Sequence, residues 1–196
     1  MNGFYVFVKL LYLCMKITWR MRFLFWWYLD FKYKISNDEI FKIHKFGKGI
    51  NKLLFFLPPE QKNAQVASYF IKKSGGKNNI ERNYLIHEEA LKYYNENILS
   101  YSIIYNDDDL NFFGILKTTS IINQINKKKY DALVDLNQNH NRLISLICLK
   151  LDIPIRVGFK SPLADNLYTL IVESSEKSFL EKNYKMIENL LNIDHS

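Results

Sequence analysis

From residue 53 onward, apolar runs of strand length alternate with segments of helical spacing, and that alternation leaves few folds open to the chain. "LLFFL" (53–57), stopped by Pro58 and Pro59, suits a strand buried on both faces. "NAQVASYFIKK" (63–73) has helical spacing at Ala64, Ala67, Tyr69, Phe70 and Ile71 and runs toward Gly75 and Gly76. "NYLIH" (83–87) reads as strand, "EEALKYYNE" (88–96) as helix, and "LSYSIIY" (99–105) as strand closed by the acidic turn "NDDD". "TSIINQINKKK" (119–129) is a helix with its lysines at the end where the helix dipole favours cations. "DALVDL" (131–136) is a strand and "RLISLICLKL" (142–151) a helix. "IPIRVGF" (153–159) and "LYTLIVE" (167–173) are strands, and "EKSFLEKNYKMIENLLN" (176–192) is a last amphipathic helix. The expectation is an α/β domain over 53–196, built of right-handed βαβ units, with a six-stranded, mostly parallel sheet and helices on both faces.

The residues before that body have a different character. Residues 1–52 hold ten Lys/Arg against Asp30, Asp38 and Glu39, while the rest of the chain holds seventeen of each sign, so the whole net charge of +7 lies in the first quarter. A nucleic-acid-binding domain would carry its basic stripe on the folded body, so nucleic acid is not expected as a partner. Residues 1–34 contain all three Trp, and their apolar runs are broken by Lys9, Lys16, Arg20 and Arg22 before reaching spanning length. At about 100° per residue, Lys9, Lys16 and Arg20 fall within about 40° of one another, leaving the remaining surface to Phe, Leu, Val, Tyr and Trp. This is the pattern of an amphipathic helix lying in a membrane interface, and it places the protein in the cytoplasm, peripherally on the inner face of an anionic membrane. The same helix could instead pack on its own domain or on a second subunit. A signal peptide is not expected, because the cations follow the apolar residues and no small-residue cleavage site appears. Residues 35–52 read as a linker with one short helix, started by Ser36 with Glu39 three residues on. Cys14 and Cys148 sit in apolar runs with no CxxC or metal-ligand spacing, which suits packed thiols in a reducing compartment.

In an open parallel sheet, ligands bind beyond the carboxyl ends of the strands. "PPEQK", "NDDD", "NQNHN" and "KSPLAD" occupy such ends. Asn137, Asn139 and Asn141 offer neutral donors and acceptors suited to hydroxyl-rich ligands such as sugars; alternatively, they cap the helix that follows. Gln61, Lys62 and Asn63 would face them from the first loop. Lys62, Arg142, Arg156 and Lys160 could meet phosphate or carboxylate on the ligand, or could be solvated surface. General-base help would have to come from Glu60, Asp135 or His140, and Asp135 could equally be structural, bonding the amides of neighbouring loops. His44, His87 and His195 are not placed to join them. No G-x-G-x-x-G, P-loop, G-x-S-x-G, H-E-x-x-H or His/Cys cluster is present, so neither a cofactor nor a metal is expected.

The segment "KKYDALVDLNQNHNRLISLICLKLDIPIRVGF" resembles glycosyltransferase family 9, the ADP-heptose lipopolysaccharide heptosyltransferases. Their acceptor-side domain carries "YDLVIDLQG…RS…L" and then "RIGF". Tyr130, Asp131, Val134, Asp135, Leu136, Arg142, Arg156, Gly158 and Phe159 fit that pattern, and the resemblance covers about residues 50–175. It implies the Rossmann-like N-terminal half of a GT-B architecture and an acceptor of the lipopolysaccharide or cell-envelope glycan type, with the donor half either truncated or supplied by a separately encoded donor domain as partner. The family's "GD" after the first strand, whose Asp is its catalytic base, is replaced here by "PPEQKNAQ", and its "QG" by Asn137 and Gln138. The resemblance therefore implies a heptosyltransferase-like acceptor domain that is catalytically incomplete alone. The other reading is a non-catalytic sugar- or partner-binding module at the membrane surface.

Overall fold

The computed structural model describes residues 49–73, 80–109, 120–173 and 180–191. The amphipathic helix expected over 1–34 lies outside them, as does all of the expected linker except its last four residues. Of those four, Lys52 already belongs to the first strand.

Six strands form one sheet: β1 (Lys52–Phe56), β2 (Glu81–His87), β3 (Ser102–Tyr105), β4 (Ala132–Asp135), β5 (Ile155–Phe159) and β6 (Leu170–Val172). Around them lie α1 (Gln61–Lys73), α2 (Glu96–Leu99), α3 (Ser120–Asn126), α4 (Arg142–Lys150), α5 (Ala164–Leu167) and α6 (Leu180–Leu191), with 3₁₀ turns at Glu88–Tyr93 and Asp107–Asp109. The strand order is β3-β2-β1-β4-β5-β6, and all five pairings are parallel. The sheet expected to be mostly parallel is thus parallel throughout, in the Rossmann-like arrangement.

Alternation along the strands assigns the two faces. Leu53, Phe55, Tyr84, Ile86, Ala132, Val134, Val157 and Phe159 share one core with Ala64, Ala67 and Phe70 of α1 and with Tyr184, Ile187 and Leu191 of α6. Leu54, Phe56, Leu85 and Leu133 point the other way and are equally shielded, on the side where Tyr168 lies against Gly158. Apolar residues on both faces are what the uninterrupted "LLFFL" run demands.

At the amino end of the sheet, the Asp131 carboxylate accepts the backbone N–H groups of Asn51 and Lys52 at 2.8 and 2.9 Å, fixing the start of β1 against that of β4. Glu81 takes hydrogen bonds from Asn83 and Lys128, and these, with the nearby lysine charges, hold its carboxyl down at about 2.

Several expected elements are shorter than their patterns: the helix expected over 119–129 ends at Asn126, leaving Lys127, Lys128 and Lys129 beyond it, and for three others the local reason is plain. The strand expected from Leu99 begins at Ser102, because the Asn95 side chain caps a turn of helix over Glu96–Leu99 through the N–H of Asn97. The helix expected over 88–96 is a 3₁₀ turn over Glu88–Tyr93, held by the His87 ring, which accepts from the Glu89 N–H. The strand expected over 167–173 covers only Leu170–Val172, since Ala164–Leu167 is helical. Among the described residues, no helix is long and apolar enough to cross a membrane.

Candidate functional site

The chain leaves β1 toward β2 on one side and leaves β4 toward β5 on the other, so their adjacent carboxyl ends form the topological switch point, where open α/β sheets place ligands. Phe56 pairs with Asp135, and the Leu136 N–H donates to the Phe56 carbonyl at 3.0 Å. The loop Leu57–Glu60 leading into α1 is thereby set beside the loop Leu136–Asn141 leading into α4.

Both loops are tied to the body by tyrosine hydroxyls. Tyr94 donates to the Pro58 carbonyl at 2.8 Å, and Tyr184 donates to the Leu136 carbonyl at 3.0 Å. Tyr184 reaches that carbonyl from α6, packed against Phe70 and Phe159. Burial, with Glu60 and (for Tyr184) Asp135 adding their charges, raises both hydroxyls far above the usual tyrosine range, so they remain donors at any working pH.

Asp135, at the end of β4, is only 3% exposed. Its Oδ1 accepts from the backbone N–H and the side-chain amide of Asn137 at 2.9 and 2.6 Å, and its Oδ2 accepts from the Tyr168 hydroxyl at 2.5 Å. Burial pushes its carboxyl up to about 6, against the pull of these donors. Tyr168 can lie over β5 because Gly158 has no side chain; a Cβ there would come within 2.6 Å of the ring. Asp135 therefore sits inside a closed network that shapes the β4 loop. A general base needs lone pairs that reach a substrate hydroxyl, and three donors already face this carboxylate.

The remaining residues singled out in the sequence fall into three groups. Glu60, Asn139 and His140 are exposed in the loops at the switch point, whereas Gln61, Lys62 and Asn63, expected in the first loop, open α1, the first two exposed and Asn63 half-buried. Asn141 caps α4, its side chain accepting from the Ile144 N–H at 3.2 Å, so one of the three asparagines does serve the helix. Asn137 is turned to Asp135, which leaves Asn139 as the asparagine standing at the loop tip. Arg142 opens α4, with its side chain outside the described residues. His140 Nδ1 lies 3.4 Å from Ser145 Oγ. Lys160 follows β5 at the same edge of the sheet, exposed and paired with Glu173, whose carboxylate raises its pKa. Arg156 stands apart: as the second residue of β5 it lies toward the amino end, two residues before the level of Asp135.

Sequence reasoning passed over Tyr168, Tyr94, Tyr184, Tyr105 and Gln138, all of which stand at or serve this edge. A tyrosine inside an apolar strand or helix carries no local mark of the carbonyl or carboxylate it will reach. Among the described residues, no group of three or more His, Cys, Asp or Glu is arranged to hold a metal ion. Cys148, in α4, is buried, and its thiol is pushed up by that burial, as a packed thiol should be. No protein-family model matches the chain, and no curated protein or solved structure matches it either.

Proposed function

We propose that this is a sugar-binding α/β domain, similar to the acceptor half of the family 9 glycosyltransferases, that takes a hydroxyl-rich glycan in the crevice between the β1 and β4 loops. The observation that carries the reading is that β1 and β4 end side by side at the switch point, which brings the start of α1, with the exposed Gln61, and the β4 loop, with the exposed Asn139, to the same edge of the sheet. The residues behind the resemblance have mainly architectural work in the described structure. Asp131 joins β1 to β4, Asp135 holds the β4 loop, and Gly158 admits Tyr168.

Binding without transfer is the form of the reading favoured here, because Asp135 is enclosed and the β1 loop offers only the exposed Glu60. ADP-heptose and other nucleotide sugars, incubated with the chain and a lipid-linked acceptor, should give no transfer; robust turnover would overturn binding without transfer. Asn139→Ala should weaken oligosaccharide binding about three- to tenfold, as loss of one or two hydrogen bonds does, and leave the melting temperature unchanged. Asn137→Ala should lower both, since it also removes one of the three donors of Asp135, the side-chain amide.

The segregated charge of residues 1–34 supports a peripheral attachment to anionic membrane. Each interfacial cation contributes on the order of 1 kcal/mol there, so binding should weaken with salt. Deleting residues 1–34 should abolish co-sedimentation with vesicles rich in anionic lipid; unchanged co-sedimentation would leave protein packing as the role of that segment.

A further inference from the structure

We propose that the Tyr105 hydroxyl and the Gln138 side-chain amide are ligand-binding groups, and that the ligand they hold at the carboxyl edge of the sheet is uncharged and hydroxyl-bearing. The inference rests on the sugar-binding reading and adds to it two groups and a charge class.

Tyr105 is 2% exposed, yet its hydroxyl has no hydrogen-bond partner, and neither does the shielded Nε2 of Gln138. Buried hydroxyls and amides in folded proteins nearly always find one; other unpartnered atoms, on Arg82, Tyr130 and Arg156, lie toward the amino end of the sheet, and these two stand at the carboxyl edge, where an open parallel sheet receives its ligand. Their placement is not accidental to the crevice. Tyr105 pairs with His87, while Leu85 pairs with Phe56 and Phe56 with Asp135, which sets Tyr105 on the Asp135 face of the sheet, one pleat further toward the carboxyl edge. The His87 ring meets Tyr105 edge-on at 5.0 Å and is itself fixed by the Glu89 N–H, so the phenol is held in position. Gln138 enters from the other side, in the loop that follows β4. The β3 and β4 axes are separated by two strands, about 14 Å.

Charge selects the class of ligand. Asp135, Glu60 and Asp107 all act on the Tyr105 hydroxyl and, after burial, raise its pKa. A phosphate would meet these carboxylates, whereas a phenol and an amide together suit neutral hydroxyls, donating and accepting without a charge. Both atoms are shielded in the free chain, so a ligand reaches them only when the groups over them shift.

The test measures the affinity and melting temperature of the full chain and of its Tyr105→Phe and Gln138→Leu variants. Maltotriose, mannotriose and chitotriose serve as neutral probes, with ADP and inorganic phosphate as anions. Wild type should bind at least one neutral sugar in preference to both anions, each variant should bind it about five- to tenfold more weakly, and Tyr105→Phe should melt no lower than wild type because its hydroxyl has no partner to lose. Sugar binding that is unchanged in both variants would mean that only internal water fills the gap, overturning this inference while sparing the sugar-binding reading. A lower melting temperature for Tyr105→Phe, or preference for ADP or phosphate, would likewise overturn it. No binding of any sugar to wild type would overturn both.

Discussion

Gly158→Ala is expected to destabilise the domain by about 2–4 kcal/mol, the combined cost of overpacking and of a buried acceptor losing its donor. The new Cβ would stand 2.5 and 2.6 Å from Cε2 and Cε1 of Tyr168, a separation at which one of them must move. The strand cannot, since β5 is held between β4 and β6. The ring is anchored at both ends, by its hydroxyl on Asp135 and by its backbone N–H on the Ala164 carbonyl at 2.9 Å. Whichever end yields, Asp135 loses its partner at Oδ2 and the β4 loop loses its brace, so sugar binding should weaken along with stability. Urea unfolding of the variant checks this; a midpoint equal to wild type would mean that the ring is free to shift and that the Tyr168–Asp135 bond does not hold the loop.

The second large effect is a dependence of stability on pH that belongs to Asp135. Its carboxyl is raised to about 6 in the folded chain, chiefly by burial, from an ordinary value of 3.8. Between those values the folded chain keeps a proton that the unfolded chain has released, so the folded state binds more protons and stability falls as pH rises. The contribution is fully present below about 4, is lost through about 6, and amounts to something on the order of 3 kcal/mol. Glu81 acts in the opposite sense at lower pH: with its carboxyl held at about 2, its contribution is present above about 4.5 and is lost as pH falls toward 2. The two windows barely overlap, so a comparison of pH 4.5 with pH 7.5 isolates Asp135. Wild type should unfold at lower urea at pH 7.5, and Asp135→Asn, which cannot ionise, should remove most of that difference. Parallel pH profiles for the two proteins would show that Asp135 is ionised throughout and stabilised by its donors.

The fold was legible because its signals are periodic. Continuous apolar runs such as "LLFFL" and "DALVDL" announce strands covered on both faces, and their alternation with helical spacing leaves a parallel sheet as the economical solution. The site was legible at the level of loops for the same reason: once β1 and β4 are recognised as strands, the residues that follow them fall at the switch point. What the local pattern does not carry is the partner of each side chain. Asn137, Asn139 and Asn141 look alike in sequence, yet one binds Asp135, one stands at the loop tip and one caps α4. Arg156 lies inside the strand read over 153–159, and its register opposite Leu133 keeps it toward the amino end, away from the loops that follow β1 and β4. Tyr168 and Gly158 are ten residues apart and meet only because α5 folds the chain back over β5.

The central claim is that the carboxyl edge at β1 and β4 receives a neutral, hydroxyl-rich ligand, and the direct measurement is a backbone amide chemical-shift map of the ¹⁵N-labelled chain during titration with a neutral oligosaccharide. The account predicts perturbations confined to residues 57–63, 105–106 and 136–141. Perturbations centred instead on the amino end of the sheet, around Arg82, Tyr130 and Arg156, or the absence of any response, would contradict it.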